Sequence, residues 1–167
     1  MKQTRNLEDA WKQLIAGQSY VLACHVRPDG DCLGAMLALA RELRRLGKDV
    51  TCLSIDGIPD NYAFLPDSDT IVTSTERRDF DVGIIIDADA PKRVGDSADA
   101  LNSARRLVRI DHHLSTEDFG DIQIVDQQIS STSELILRVF MSNNVPVDLD
   151  TATLLLAGII FDTGGFR

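Results

Sequence analysis

The sequence predicts an α/β protein: a mostly parallel central sheet flanked by helices. Strand-length apolar runs alternate with helical patterns along most of the chain, as repeated βαβ units require. One run, Val82-Gly83-Ile84-Ile85-Ile86, is apolar at every position, which fits a strand covered on both faces. Between Val21 and Gly47 a strand, a Pro/Gly turn and a long helix follow one another, an order that places a loop at the carboxyl edge of a parallel sheet. At 167 residues the chain can bury one good core, so a single domain over 1–167 is expected.

Residues 6–16 read as an amphipathic helix with Leu7, Trp11, Leu14 and Ile15 inward and Asn6 as its cap. A strand follows at 20–25. The long helix covers 32–46, with Leu33, Met36, Leu37, Ala40, Leu43 and Leu46 on one face. Its solvated face carries Arg41, Glu42, Arg44 and Arg45, and Gly47 ends it. The next strand is expected at 49–55. Residues 56–69, rich in Pro, Gly and Asp, form a loop with one short helical turn near 62–64; a short strand at 70–73 follows. Arg77 and Arg78 read as solvated. The buried strand at 82–86 leads into Asp87-Ala88-Asp89-Ala90-Pro91, where Asp89 reads as a capping or surface residue. A helix over 96–104, a strand over 107–110 and a short strand over 122–125 come next. Ser131-Thr132-Ser133-Glu134 has the form of a capping box and opens a helix through Met141, so Ser131 and Thr132 are expected as caps. Asp148 starts a last helix, 150 to about 160, with Leu154, Leu155 and Gly158 suited to burial.

The net charge of −9 opposes long-range attraction to a nucleic-acid backbone. A long-duplex binder is therefore not expected. A short phosphorylated ligand is compatible, because bound divalent cations invert a local field. No apolar run reaches membrane-spanning length and the first six residues lead into no signal-peptide core, so no membrane association is expected. Cys24, Cys32 and Cys52 are odd in number and form no CxxC. They read as small buried thiols of a reduced, cytoplasmic protein.

The chemistry gathers at strand ends. His25, Asp29 and Asp31 share the turn His25-Val26-Arg27-Pro28-Asp29-Gly30-Asp31, which Pro28 stiffens and Gly30 lets bend. Alone, that turn also fits an ordinary polar loop in which Asp31 or a neighbour caps the helix. But Asp87 ends a second apolar run and Asp111-His112-His113 a third, and in a parallel sheet such ends share one edge. All three histidines of the chain fall there. Asp162 joins them if the last helix points its carboxyl end the same way. Imidazole and carboxylate together suit Mn²⁺, and two ions about 3.5–4 Å apart are the arrangement for in-line attack on phosphorus. Aspartates packed so closely repel and raise one another's pKa unless cations join them.

The segments HVRPDGD, IIIDADAP, IDHH and GIIFDTGGFR, in that order, resemble the DHH phosphoesterase family. They are most similar to its branch of small oligoribonucleases that also remove the 3′-phosphate from phosphoadenosine phosphate (pAp). The resemblance spans about 20–167 and implies a DHH domain, a Rossmann-like three-layer sandwich. It implies two Mn²⁺, with Mg²⁺ or Co²⁺ as substitutes. One would be held by His25, Asp29 and Asp87, the other by Asp31, Asp87, His112 and Asp162. His113 would act beside Asp87 in catalysis, touching the scissile phosphate or steadying an attacking hydroxide. Asp111 would stand behind them and orient the site. Arg167 would meet a substrate phosphate, which a planar fork suits. The implied reaction is hydrolysis of phosphodiester or phosphomonoester bonds in short oligoribonucleotides or pAp by a hydroxide bridging two metals.

Members of that branch normally continue into a C-terminal domain whose glycine-rich, histidine-containing motif and basic residues grip the nucleotide. Nothing in 1–167 corresponds to it, so that domain is an expected partner; the resemblance also admits a homodimer. The same motifs serve cyclic-dinucleotide phosphodiesterases, single-strand exonucleases and pyro- or polyphosphatases. A metal- and nucleotide-binding module without useful turnover is the competing reading from another class. A receiver- or flavodoxin-like domain accounts for one Asp-rich strand end, not for three and a histidine pair.

Overall fold

The structure, a computed structural model, describes residues 2–3, 6–114 and 117–167. In chain order the elements are β1 (Lys2–Gln3), α1 (Leu7–Leu14), β2 (Ser19–Cys24), α2 (Gly30–Arg45), β3 (Asp49–Leu53) and β4 (Ile71–Val72). There follow β5 (Val82–Ile86), α3 (Ala98–Asn102), β6 (Arg106–Asp111), β7 (Ile122–Val125), α4 (Thr132–Ser142) and α5 (Leu149–Asp162). The seven strands among the described residues all pair in parallel, in the order β1-β7-β6-β5-β2-β3-β4. This is the α/β, mostly parallel architecture that the alternating pattern calls for.

Period-two alternation divides the strands between two cores. Tyr20, Leu22, Cys24, Ile84, Ile86, Val108 and Ile110 face α1, α2, α4 and α5. Val21, Ala23, Leu53 and Ile85 face the thinner layer, with Phe80, Val94 and Leu101. The order of the strands fixes where a site can form. The chain steps outward from β2 through β3 to β4, then returns to β5 on the other side of β2 and steps outward again through β6 to β7. The direction reverses between β2 and β5, and in open α/β sheets the crevice beyond the carboxyl ends at such a reversal is the ligand-binding place.

Several boundaries differ from the sequence reading. Helix α2 starts at Gly30 rather than 32, because Asp29 takes the cap: its Oδ1 accepts the N–H of Asp31 and of Cys32, both at 3.0 Å. Asp31 therefore lies in the first helical turn. The helix expected over 96–104 is a 3₁₀ stretch, Pro91–Ser97, followed by the short α3. Gly95, at φ 54°, kinks the 3₁₀ stretch from within. Two-residue β1 was not foreseen; it is too short to show a period. Helix α5 runs on to Asp162. Leu46, expected inside, is 40% exposed at the end of α2. Nor is the arginine face of α2 simply solvated. Arg41 binds Asp67 (2.8 Å), Asp150 (2.5 Å) and Asp148 (3.3 Å), and Arg44 binds Val50 O and Thr70 Oγ1, both at 3.2 Å. Arg77 pairs with Asp49 and Asp79 and stacks on Phe80. No helix among the described residues is long and apolar enough to cross a membrane.

Candidate metal centre

Just past β2, His25 donates Nδ1–H to its neighbour's carbonyl, Val26 O (2.9 Å), which turns Nε2 toward the carboxylates. Nε2 lies 3.3 Å from Asp29 Oδ2 and 3.7 Å from Asp87 Oδ2. Asp29 thus divides its work, one oxygen capping α2 and the other facing the histidine. Between them Arg27 is held at φ 55°, with its N–H donating to Asp56 Oδ2 (2.6 Å).

Asp87 follows β5 and is buried. Its φ is 57°, the left-handed region that an aspartate adopts at a cost, and such conformations persist where the surroundings over-determine them. Its N–H donates to Ile110 O (2.9 Å) of the neighbouring strand. The turn aims the two carboxylate oxygens in different directions. Oδ2 faces His25, while Oδ1 lies 3.7 Å from His112 Nε2 and 3.4 Å from His113 Nδ1 and accepts the Thr132 hydroxyl (2.8 Å).

Asp31 is held by the N-terminus of α4. Its Oδ2 accepts the Thr132 N–H (2.6 Å) and its Oδ1 the Ser133 N–H (2.8 Å), two of the donors that a helix start leaves unpaired. Ser131 is the cap, with Oγ accepting from Glu134 N (3.0 Å). Thr132 is more than a cap, since its backbone holds Asp31 and its hydroxyl holds Asp87. From the far side, α5 brings Asp162 Oδ2 to 3.0 Å from His112 Nε2. Gly158 makes this convergence possible: a Cβ there would overlap Ser133 Oγ and crowd Asp31 Oδ1. Behind the pair of histidines, buried Asp111 accepts three N–H groups on Oδ1: the backbones of His112 (2.8 Å) and His113 (3.1 Å) and His113 Nδ1–H (2.8 Å). Arg109 pairs with its Oδ2.

The electrostatics record the crowding. Burial first, and then the charge of Asp87, push the Asp31 carboxyl up to about 7. Burial alone would lower His25, but its hydrogen bonds to Asp29 and Asp87 outweigh it and raise the imidazole to about 10. Asp111 and Asp87 raise His113 to about 10 as well. Asp87 moves the other way. Burial opposes its charge, yet the bonds from His113, His25 and Thr132 hold it well below the usual carboxylate range. In the metal-free protein, protons on the histidines balance these carboxylates.

The donor set fits a divalent cation. Asp31, His112 and Asp162 offer ligand atoms within 4.8 Å of one another, and so do Asp87, His112 and His113. His112 Nε2 is buried with no hydrogen-bond partner, although Asp162 is near, so it is a nitrogen without a completed contact. Imidazole nitrogen together with carboxylate oxygen is a ligand set for a divalent metal cation. Cys32 stands within the same 4.8 Å of His25 and Asp29. Burial and the nearby Cys24 raise its thiol well above the ordinary range, and its sulfur accepts from Asp29 N (3.3 Å), so it supports the turn as a neutral group.

The eight histidine and aspartate positions singled out from the sequence therefore meet: His25, Asp29, Asp31, Asp87, Asp111, His112, His113 and Asp162. Arg167 does not join them by an ion pair; it is exposed, with its N–H on Thr163 O (3.0 Å). Asp89 sits outside, 3.7 Å from Arg93. Sequence reasoning missed Thr132, Ser133 and Arg109 as parts of the site. Arg109 had a legible signal. In a strand, residues two apart share a face, so Arg109 and Asp111 had to be neighbours.

A model of the DHH family, N-terminal domain, matches residues 19–159. The chain is 30% identical over 155 residues to the bifunctional oligoribonuclease and PAP phosphatase NrnA of Thermus thermophilus, covering 92% of this chain and 45% of that one. It is 25% identical over 146 residues to a probable manganese-dependent inorganic pyrophosphatase of Streptococcus thermophilus, covering 83% and 46%. The crystal structure of an exopolyphosphatase-related protein from Bacteroides fragilis superposes with a TM-score of 0.86 at 30% identity, covering 96% of this chain and 51% of that one. The chain spans about half the length of the curated relatives it matches.

Proposed function

This chain belongs to the DHH family, and on that premise we propose that it carries the metal site of a Mn²⁺-dependent phosphoesterase acting on short oligoribonucleotides or pAp. One observation supports this reading above the others. The two oxygens of Asp87 face different sets of nitrogens, His25 on one side and His112 with His113 on the other. That is the placement for one carboxylate shared by two cations. His25 and Asp29 would complete the first site, and Asp31, His112 and Asp162 the second. Bound there, divalent cations supply Lewis acidity at phosphorus and neutralise the charge that develops on it.

The remaining work belongs to the chain's own residues. The N-terminus of α4 holds Asp31 in the orientation its ligand role needs. His113, with Nδ1 committed to Asp111, keeps its half-exposed ring edge for the substrate. In its protonated form His113 would stabilise the negative charge that builds on the phosphoryl oxygens. Arg167 is assigned a more distant substrate phosphate.

The test is Mn²⁺-dependent hydrolysis of pAp, a linear diadenylate, a cyclic dinucleotide, pyrophosphate and a short polyphosphate, with Asp87→Ala as the control. Turnover of pAp or the diadenylate that falls by about a hundredfold or more in Asp87→Ala is expected. A second reading, cleavage of pyrophosphate or polyphosphate by the same residues, is favoured by the names of two relatives. Selective turnover of those two substrates would install it. Hydrolysis indifferent to Asp87 would defeat both.

A further inference from the structure

Arg109 lies in the middle of β6, 2% exposed, on the thinner face of the sheet. Its neighbours Val108 and Ile110 are ordinary core residues. A guanidinium in such a place is costly unless its N–H groups are used, and here they are. Nε–H donates to Ala88 O (3.1 Å), Nη2 pairs with Asp111 Oδ2, Nη1 reaches Glu117 O (3.5 Å), and Phe119 covers the guanidinium at 4.6 Å. An aliphatic residue would fill the same space at lower cost, so the charge calls for a reason.

The partners supply one. Ala88 is the residue after Asp87, the aspartate whose backbone is held in the left-handed region. Asp111 is the acceptor that gathers both backbone N–H groups of His112 and His113 and the Nδ1–H of the His113 ring. One planar fork therefore joins the two turns that carry the central carboxylate and the histidine pair. We infer that Arg109 is a positioning residue: it braces the Asp87 turn through Ala88 O and orients the His113 ring through Asp111. The functional part of this inference rests on the phosphoesterase reading. The orienting part does not, because it concerns a ring in the metal-free protein.

Two measurements test it. The first is a long-range ¹H–¹⁵N spectrum of the histidine ring nitrogens in the metal-free protein. Wild type is expected to show His113 Nδ1 protonated and hydrogen-bonded. In Arg109→Met that signature is expected to be lost or averaged, and Arg109→Lys, which keeps the charge without the fork, is expected to restore it only in part. The second is a double-mutant cycle. Arg109→Met is expected to lower kcat by about 10–100-fold, with KM changed by less than about threefold. In a His113→Ala background the same substitution is expected to cost less than in wild type, since the ring it orients is gone and only the brace on the Asp87 turn is lost.

A His113 signal unchanged in Arg109→Met, together with a kinetic loss of equal size in both backgrounds, would overturn the inference and leave Arg109 a structural residue. Should Arg109→Met fail to fold, Arg109→Lys carries both comparisons. If wild type turns over none of the substrates, the functional reading fails, and the spectra still decide whether Arg109 orients His113.

Discussion

At the scale of single residues the site is a charge-balance problem solved with protons. Asp87 and its neighbouring aspartates crowd into a buried space, and in the metal-free protein the histidines compensate by holding protons at higher pH than usual. The sign of the resulting pH dependence follows. His25 and His113 are raised from 6.5 to about 10, so their stabilisation is full below pH 6.5 and is lost as pH rises through about 10. Asp31, raised from 3.8 to about 7, binds its proton more tightly folded than unfolded, so its contribution also declines as pH rises from 3.8 to about 7. The thermal midpoint of the protein in chelator is therefore expected to fall between pH 6.5 and 10, and calorimetry across that range measures it. Metal binding must displace the protons of the ligands His25 and Asp31, so Mn²⁺ affinity is expected to rise with pH and binding to release protons, detectable by titration in buffers of different ionisation enthalpy. A flat midpoint and no proton release would contradict the charge balance described here. Residue identities at this scale were largely legible, because His and Asp at the ends of apolar strands have little structural reason to be there. Arg109 was overlooked because it interrupts a strand that otherwise reads as core.

At the scale of elements, three helices do what the strand ends cannot. The N-terminus of α4 grips Asp31, α5 delivers Asp162, and the start of α2 sets Asp29 as its cap and Asp31 in its first turn. The capping signal at Ser131 marked where α4 begins, but not that its first N–H groups would point at a carboxylate 101 residues away in sequence. That contact depends on how α2, α4 and α5 pack, which no local pattern encodes. The packing is close. A Cβ at Gly34 would overlap Leu154 O, and one at Gly158 would overlap Ser133. Gly158→Ala is expected to destabilise the fold by about 1–3 kcal/mol and to weaken metal binding by moving Asp31. Denaturant unfolding with a parallel Mn²⁺ titration separates the two effects. Ser131→Ala removes the cap of α4 and is expected to cost about 1 kcal/mol, with a smaller effect on the metal because the Thr132 and Ser133 N–H groups remain. A larger loss of metal binding from Ser131→Ala than from Gly158→Ala would mean that Asp31 is held differently.

At the scale of the whole molecule, the strand order decides where chemistry can happen. His25 and Asp87 stand at the ends of β2 and β5, the pair between which the order reverses, and the β6 end adds the histidine pair alongside. The alternation of strands and helices made the parallel sheet legible, and the shared edge followed from it. The side of the sheet on which each helix lies was not legible. It follows from the long-range packing that leaves α1, α2, α4 and α5 on one face and the short α3 with its 3₁₀ stretch on the other. The central claim is that Asp87 joins two cation sites at that reversal. Its most direct test is Mn²⁺ stoichiometry and affinity by titration calorimetry, comparing wild type with the near-isosteric Asp87→Asn. Two Mn²⁺ per chain are expected in wild type, with both weakened about tenfold or more in Asp87→Asn. A single site in wild type, or one whose affinity ignores Asp87→Asn, would contradict it.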